Sequence, residues 1–158
     1  MKNILFFFVI SIVSCNSNDS ESSVTKATED TPATKPKNIQ MPEGISGCYS
    51  YVLKKDSALL KLNISGDKVS GDLTYNLYEK DHNRGTIDGT VQDSLVIADY
   101  TFQSEGMTSV RQVVFKINGD SLFEGFGDID MINDTARFKN ISQLKFYEQR
   151  PFLKTACK

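Results

Sequence analysis

The sequence predicts an all-β protein: a single antiparallel meander of roughly eight strands closing into a barrel, preceded by a signal peptide and a disordered tether. Three observations carry that expectation. From Gly47 onward apolar and polar residues alternate, and no 3.6-residue apolar stripe of useful length appears. Turn residues recur at short intervals. Three hairpins, each read on its own, gather the apolar residues of both strands on one face. With 158 residues, 39% hydrophobic and 24% charged, the chain has room for one domain with a real core, not two.

The elements follow in order. Residues 1–14 read as a secretory signal: Lys2 gives a positive start and Ile4 to Val13 an apolar run of ten residues. Ten helical residues reach ~15 Å, half of a hydrocarbon core, so the run is too short for a comfortable membrane span. Ile12-Val13-Ser14-Cys15 resembles the lipobox of bacterial lipoproteins. That resemblance implies cleavage before Cys15, a diacylglycerol on its sulfur and usually an acyl group on its amine. Such chains hold a protein on a membrane almost irreversibly, since each buried CH₂ contributes about 0.8 kcal/mol. Residues 15–46 then form the lipidated cysteine and its linker. Rich in Ser, Thr, Asp, Glu and Pro and nearly free of aromatics, this stretch cannot bury enough apolar surface to offset ordering. Its acidic start is similar to that of many Bacteroidota lipoproteins, where such residues can direct surface export; a plain solvated linker fits equally.

Residues 47–158 are the barrel domain. Strands are expected at 47–53, 57–65, 68–79, 85–92, 94–102, 109–117, 120–128 and 135–147, the last broken or bent. Gly66-Asp67 closes a turn that pairs Ser65 with Lys68, so Leu60, Leu62 and Ile64 share a face with Val69, Leu73 and Tyr75. Gln92-Asp93 pairs Val91 with Ser94. Asn118-Gly119 pairs Ile117 with Asp120 and sets Val113 and Phe115 beside Leu122, Glu124 and Phe126. Closure would bring Cys48, on the first strand, beside Cys157, and in an exported protein the two are expected to form a disulfide.

The loops at 66–67, 92–93 and 118–119 are tight and share one end. Those at 54–57, 80–84, 103–108 and 129–134 are longer and share the other, which makes that mouth the candidate site. Continuing the alternation puts Glu79, Arg111 and Asp128 on the inner face there, with Glu124 one step deeper. A buried charge needs a partner, so Arg111 is expected to pair with Glu124 or Glu79. Two readings follow: a polar plug closing a small barrel, or a ligand pocket with Arg111 as its cation and Tyr75, Tyr100 and Phe102 as walls.

Gly47-Cys48-Tyr49 resembles the Gly-x-Trp that opens the first strand of calycins, the lipocalins, avidins and their relatives. The resemblance implies a small barrel that takes apolar molecules in its mouth or binds other proteins. Tyr49 replaces the tryptophan and the chain has no Trp, which argues against the tryptophan-walled biotin site of avidins.

Other chemistry is thin. A formal charge of −2 and a pI near 5.4 argue against a nucleic-acid surface. His82, the one histidine, sits in a polar turn and assembles no catalytic set. Asp128, Asp130, Asn133 and Asp134 offer oxygens to a calcium ion but lack the glycine and distal glutamate of an EF-hand loop. No cofactor or metal motif is present. Asp93-Ser94-Leu95 and three similar triplets resemble the O-glycosylation sequon of Bacteroidota exported proteins, and equally suit the starts of strands. The sequence thus leads to a lipid-anchored, non-enzymatic envelope barrel, expected on the outer membrane, that binds a small apolar or acidic molecule. The alternative is a module that binds an envelope protein; a carboxylate-based hydrolase comes last.

Overall fold

Seven consecutive strands in the computed structural model, which describes residues 44–80 and 82–157, form a meander in which each pairs antiparallel with its predecessor. They are β1 (Gly47–Leu53), β2 (Asp56–Ser65), β3 (Lys68–Asn76), β4 (His82–Gln92), β5 (Leu95–Ser104), β6 (Met107–Asn118) and β7 (Ser121–Phe126). A hairpin of β8 (Ile129–Ile132) and β9 (Thr135–Phe138), a 3₁₀ turn at Ile141–Gln143 and the short β10 (Lys145–Phe146) follow. The last strand, β11 (Phe152–Thr155), pairs with β7 on one side and β1 on the other. It closes an eight-stranded barrel of β1 to β7 and β11. The signal segment, Cys15 and all but the last three residues of the tether lie outside the described residues.

Inward residues fill the barrel. Tyr49, Leu60, Leu62, Leu73, Tyr100, Phe115, Leu122 and Phe152 are all essentially inaccessible. Phe152 stands edge-on to Tyr51 and Phe115, with centroids 5.0 and 5.4 Å away, so the closing strand also plugs the core. Strands approach closely where β4 carries glycine: a Cβ on Gly89 would lie 2.1 Å from the Ile97 carbonyl oxygen. The Cys48–Cys157 disulfide is formed, with Cα atoms 5.2 Å apart.

The β2–β3 register is the expected one, Ser65 opposite Lys68. The other two hairpins turn one residue later. Asp93-Ser94 and Gly119-Asp120 are the turn residues, and Gln92 pairs with Leu95 and Asn118 with Ser121. The pairing shifts by two residues, so the faces are unchanged, and it sets Val91 against Val96 and Ile117 against Leu122. Gly66, Asp93 and Gly119 each supply a positive φ at the first turn position.

Two expectations are corrected. The eighth barrel strand is 152–155, not 135–147; four residues behind Pro151, with Phe152 alone buried, leave too little alternation to read. The mouth is not marked by four long loops. Lys54-Lys55, Glu105-Gly106 and Asn133-Asp134 are two-residue turns, with Lys54, Glu105, Asn133 and Asp134 at positive φ. Only the β3–β4 loop, 77–81, and the excursion from 127 to 151 are longer there.

Candidate functional site

The excursion opens the barrel wall. β6 has twelve residues and β7 six, and they pair only from Phe115–Glu124 to Asn118–Ser121. Beyond that point β7 turns to β10, with Gly125 opposite Phe146, while β6 takes β9 as a parallel neighbour through Val110–Thr135 and Arg111–Ala136. Arg137 fixes β9 with a fork of two hydrogen bonds to Asp99 of β5, at 2.9 and 2.7 Å. Gln112 accepts the Phe138 N–H at 3.1 Å. A cavity of about 190 Å³ occupies the gap between β6 and β7, lined among others by Arg111, Glu124, Ala136 and Phe138.

Arg111 sits at the inner edge of this window. Its guanidinium carbon lies 5.1 Å from the Tyr75 ring centroid, 5.6 Å from Tyr100 and 5.7 Å from Phe102. Tyr100 stacks on Phe102 at 4.8 Å and meets Tyr75 edge-on at 5.9 Å. Three rings around one guanidinium attract its charge through their quadrupoles and strip water from it. Tyr75 donates a hydrogen bond to Glu124 Oε1 at 2.6 Å, and Tyr100 donates to the Leu73 carbonyl at 2.9 Å.

Burial pushes the Glu124 carboxyl above the usual carboxylate range, against the Tyr75 hydrogen bond and the charges of Arg111 and Arg150, which lower it. Burial likewise carries Tyr100 up to about 12, with the Arg111 charge opposing. Tyr75 is held well above its ordinary value by burial first and the Glu124 charge second. Both phenols therefore stay protonated and act as donors.

Among the described residues, two polar atoms at this end are buried without a hydrogen-bond partner: the Arg111 Nε–H, a donor, and the Asn83 side-chain oxygen, an acceptor. Asn83 lies opposite Tyr75 in the β3–β4 register and so shares its face. Buried polar atoms are nearly always satisfied, so an orphaned donor and acceptor set this end of the barrel apart from the rest of the interior.

Of the seven residues expected at the mouth, Tyr75, Tyr100, Phe102, Arg111 and Glu124 come together. The other two do not. β3 stops at Asn76, so the alternation that would turn Glu79 inward is lost; Glu79 is exposed in a turn at a φ of 56°. Asp128 lies past the end of β7, exposed, with its carbonyl accepting the Lys139 N–H at 2.9 Å. No ion pair within 4.0 Å joins Arg111 to Glu124 or Glu79; Tyr75 holds the Glu124 carboxylate instead. Asn83 was hidden because 80–84 reads as loop, although β4 already begins at His82. The window residues Ala136 and Phe138 were hidden because parallel pairing of β9 with β6 leaves no hairpin signal.

His82 is exposed, its Nδ1 2.8 Å from the Asn76 side-chain oxygen. Among the described residues no group of three or more His, Cys, Asp or Glu side chains is arranged to hold a metal ion. Asp128 and Asp130 are strung along extended chain, Asp130 faces Lys139 at 3.5 Å, and Asn133-Asp134 form the β8–β9 turn.

The arrangement defines a small, filled antiparallel barrel consistent with a calycin-like architecture, with a polar window at one end. No protein-family model, curated protein or solved structure matches the chain.

Proposed function

We propose that this chain is a lipid-anchored envelope protein, held through Cys15, whose non-enzymatic barrel binds a small organic acid in the β6–β7 window. The observation that carries the reading is the buried, unpartnered Arg111 Nε–H beside a cavity of about 190 Å³. At ~30 Å³ per water molecule the space suits a guest about as bulky as six waters, a short-chain carboxylate rather than a lipid. The filled interior also argues against an apolar guest deep in the barrel. A guanidinium with a free edge takes a carboxylate through charge-assisted hydrogen bonds.

The anchor and outer-membrane address rest on the first fifteen residues.

Native mass spectrometry of the full chain, purified gently from its own host in detergent, tests the reading. The expected result is a chain starting at a diacylglycerol-modified Cys15 with a co-purifying small acid that Arg111→Ala loses. A bare chain that also ignores added short carboxylates would overturn it. That result would favour the second reading, a protein-binding module, for which β8 is the specific observation. It is the outer strand of its hairpin, and Ile129, Met131 and Ile132 are 53%, 68% and 50% exposed.

A further inference from the structure

A second concavity lies where the stretch from 139 to 147 folds against the end of β7. Gly127 permits the contact: a Cβ there would sit 2.7 Å from Leu144. The cleft has a volume of about 670 Å³, within the range of small-ligand sites. Its walls are of two kinds. Phe126, Phe146 and Tyr147 supply rings; Phe126 and Tyr147 meet edge-on at 4.6 Å, and Tyr147 is 47% exposed. Lys139, Lys145 and Gln143 supply donors.

Cations also brace the rings. Arg150 lies 4.8 Å from the Tyr147 centroid and 5.8 Å from Phe126, and Lys116 lies 5.8 Å from Phe146. Fixed rings lose little entropy when a guest stacks on them. Lys145 has no ion-pair partner among the described residues, and Lys139 shares only an exposed pair with Asp130 at 3.5 Å, which a stronger anion displaces. One carboxylate, Asp128, borders the cleft.

We infer that this cleft binds an acidic saccharide, a short run of sugar rings bearing carboxylates. The exposed Tyr147 ring takes the apolar C–H face of a sugar ring, as amphipathic rings do at wet interfaces. Gln143 meets hydroxyls, and the lysines meet carboxylates. Sparse anionic charge fits better than a polyanion: two lysines beside an aspartate, on a chain of net charge −2, do not make the dense basic track that phosphodiester backbones require. About two or three rings fill the volume at this scale.

Isothermal titration calorimetry on the full chain in detergent, with trigalacturonic acid as the probe, tests the inference. The expected outcome is a dissociation constant below about 1 mM. It should weaken about tenfold or more in Lys145→Gln and in Tyr147→Ala, both exposed positions; each variant should still melt cooperatively, Tyr147→Ala somewhat below the parent because it gives up its edge contact with Phe126. Lys68→Gln, the same charge change at the far end of the barrel, should leave it unaltered. No heat with trigalacturonate, equal binding of neutral maltotriose, tighter binding of oligothymidylate, or equal weakening by Lys68→Gln would each overturn the assignment. The cleft shares Phe126 and Gly127 with the β6–β7 window, but Lys145 and Tyr147 line the cleft alone, so these outcomes are read apart from the window's occupant.

Discussion

The two ends of the barrel are built from the same strands and both use two-residue turns, but they differ in what they hold together. At the closed end, three two-residue turns join β2 to β3, β4 to β5 and β6 to β7, and the Cys48–Cys157 disulfide ties the first strand to the chain after the last. Tyr49 donates a hydrogen bond to the Ile45 carbonyl and Lys154 donates to that of Gly44, so the incoming chain is fastened too. Inward residues there are apolar and, apart from the half-buried Ile64, buried. At the open end the wall parts between β6 and β7, the inward residues include Arg111, Glu124 and Asn83, and two of them hold polar atoms with no partner. The contrast shows a division of labour: one end concentrates the interactions that hold the fold, leaving the other free to keep unsatisfied groups that cost stability.

That contrast can be broken most forcefully from the closed end. Leu62→Asp puts a carboxylate at a position with 0% exposure among apolar neighbours. No charge partner faces it, so a loss of more than about 4 kcal/mol is expected and circular dichroism should show no cooperative melt. A variant that melts within a few degrees of the parent would mean the closed end is not where the fold is held. Replacing Cys48 and Cys157 together by serine is next in size. The bridge spans a sequence separation of 109 residues, and chain entropy assigns such a loop about 4–5 kcal/mol. The double variant should remain folded with a clearly lower denaturant midpoint; an unchanged midpoint would remove the seam from the account.

How far each end was legible in the sequence follows the same division. The closed end is encoded locally. Gly66-Asp67 and the alternation on either side fix a register that a one-residue slip would invert, and the cysteines announce the seam. Even where the turns at Asp93 and Gly119 fall one residue later than Gln92-Asp93 and Asn118-Gly119 suggest, the two-residue shift preserves the faces. The open end is encoded non-locally. Lys54 and Glu105 adopt positive φ without the Asn-Gly or Asp-Gly pairs that advertise such turns, so loops were expected where strands run on. Glu79 and Asp128 were placed inward by extending strands past their true ends. The parallel contact of β9 with β6, which roofs the window, joins residues about twenty-five apart through no hairpin. The inward placement of Arg111, Tyr75, Tyr100, Phe102 and Glu124 is legible because they lie inside strands, where the period-two rule holds.

Changes at the open end should be gentler, and pH sharpens the first. The folded-state affinity of Glu124 for protons is raised by burial, so the folded protein binds more protons than the unfolded chain between the ordinary carboxylate value and the raised one. The contribution of Glu124 to stability is therefore greatest below its unfolded value and falls as pH rises through the folded one. Glu124→Gln removes the ionised form and keeps an acceptor for Tyr75. Its melting temperature should exceed the parent's near neutral pH by a few degrees and converge with it below about pH 4, where the parent carboxyl is protonated too. A variant less stable than the parent at neutral pH would show that the charged carboxylate stabilises the mouth.

The smallest structural effect is expected for Arg111→Ala. The guanidinium gains from three rings, an interaction of about 0.5–2 kcal/mol when partly desolvated. Against that stands a buried Nε–H with no acceptor, which costs about 1–3 kcal/mol. The two nearly cancel, so the melting temperature should move by less than about 5 °C in either direction. Retention of a small acid should fail completely, because the orphaned donor is the group that addresses it. A fall of many degrees would instead make Arg111 a structural plug, its charge held for the sake of the rings around it. The polar window would then be a second way of closing the barrel.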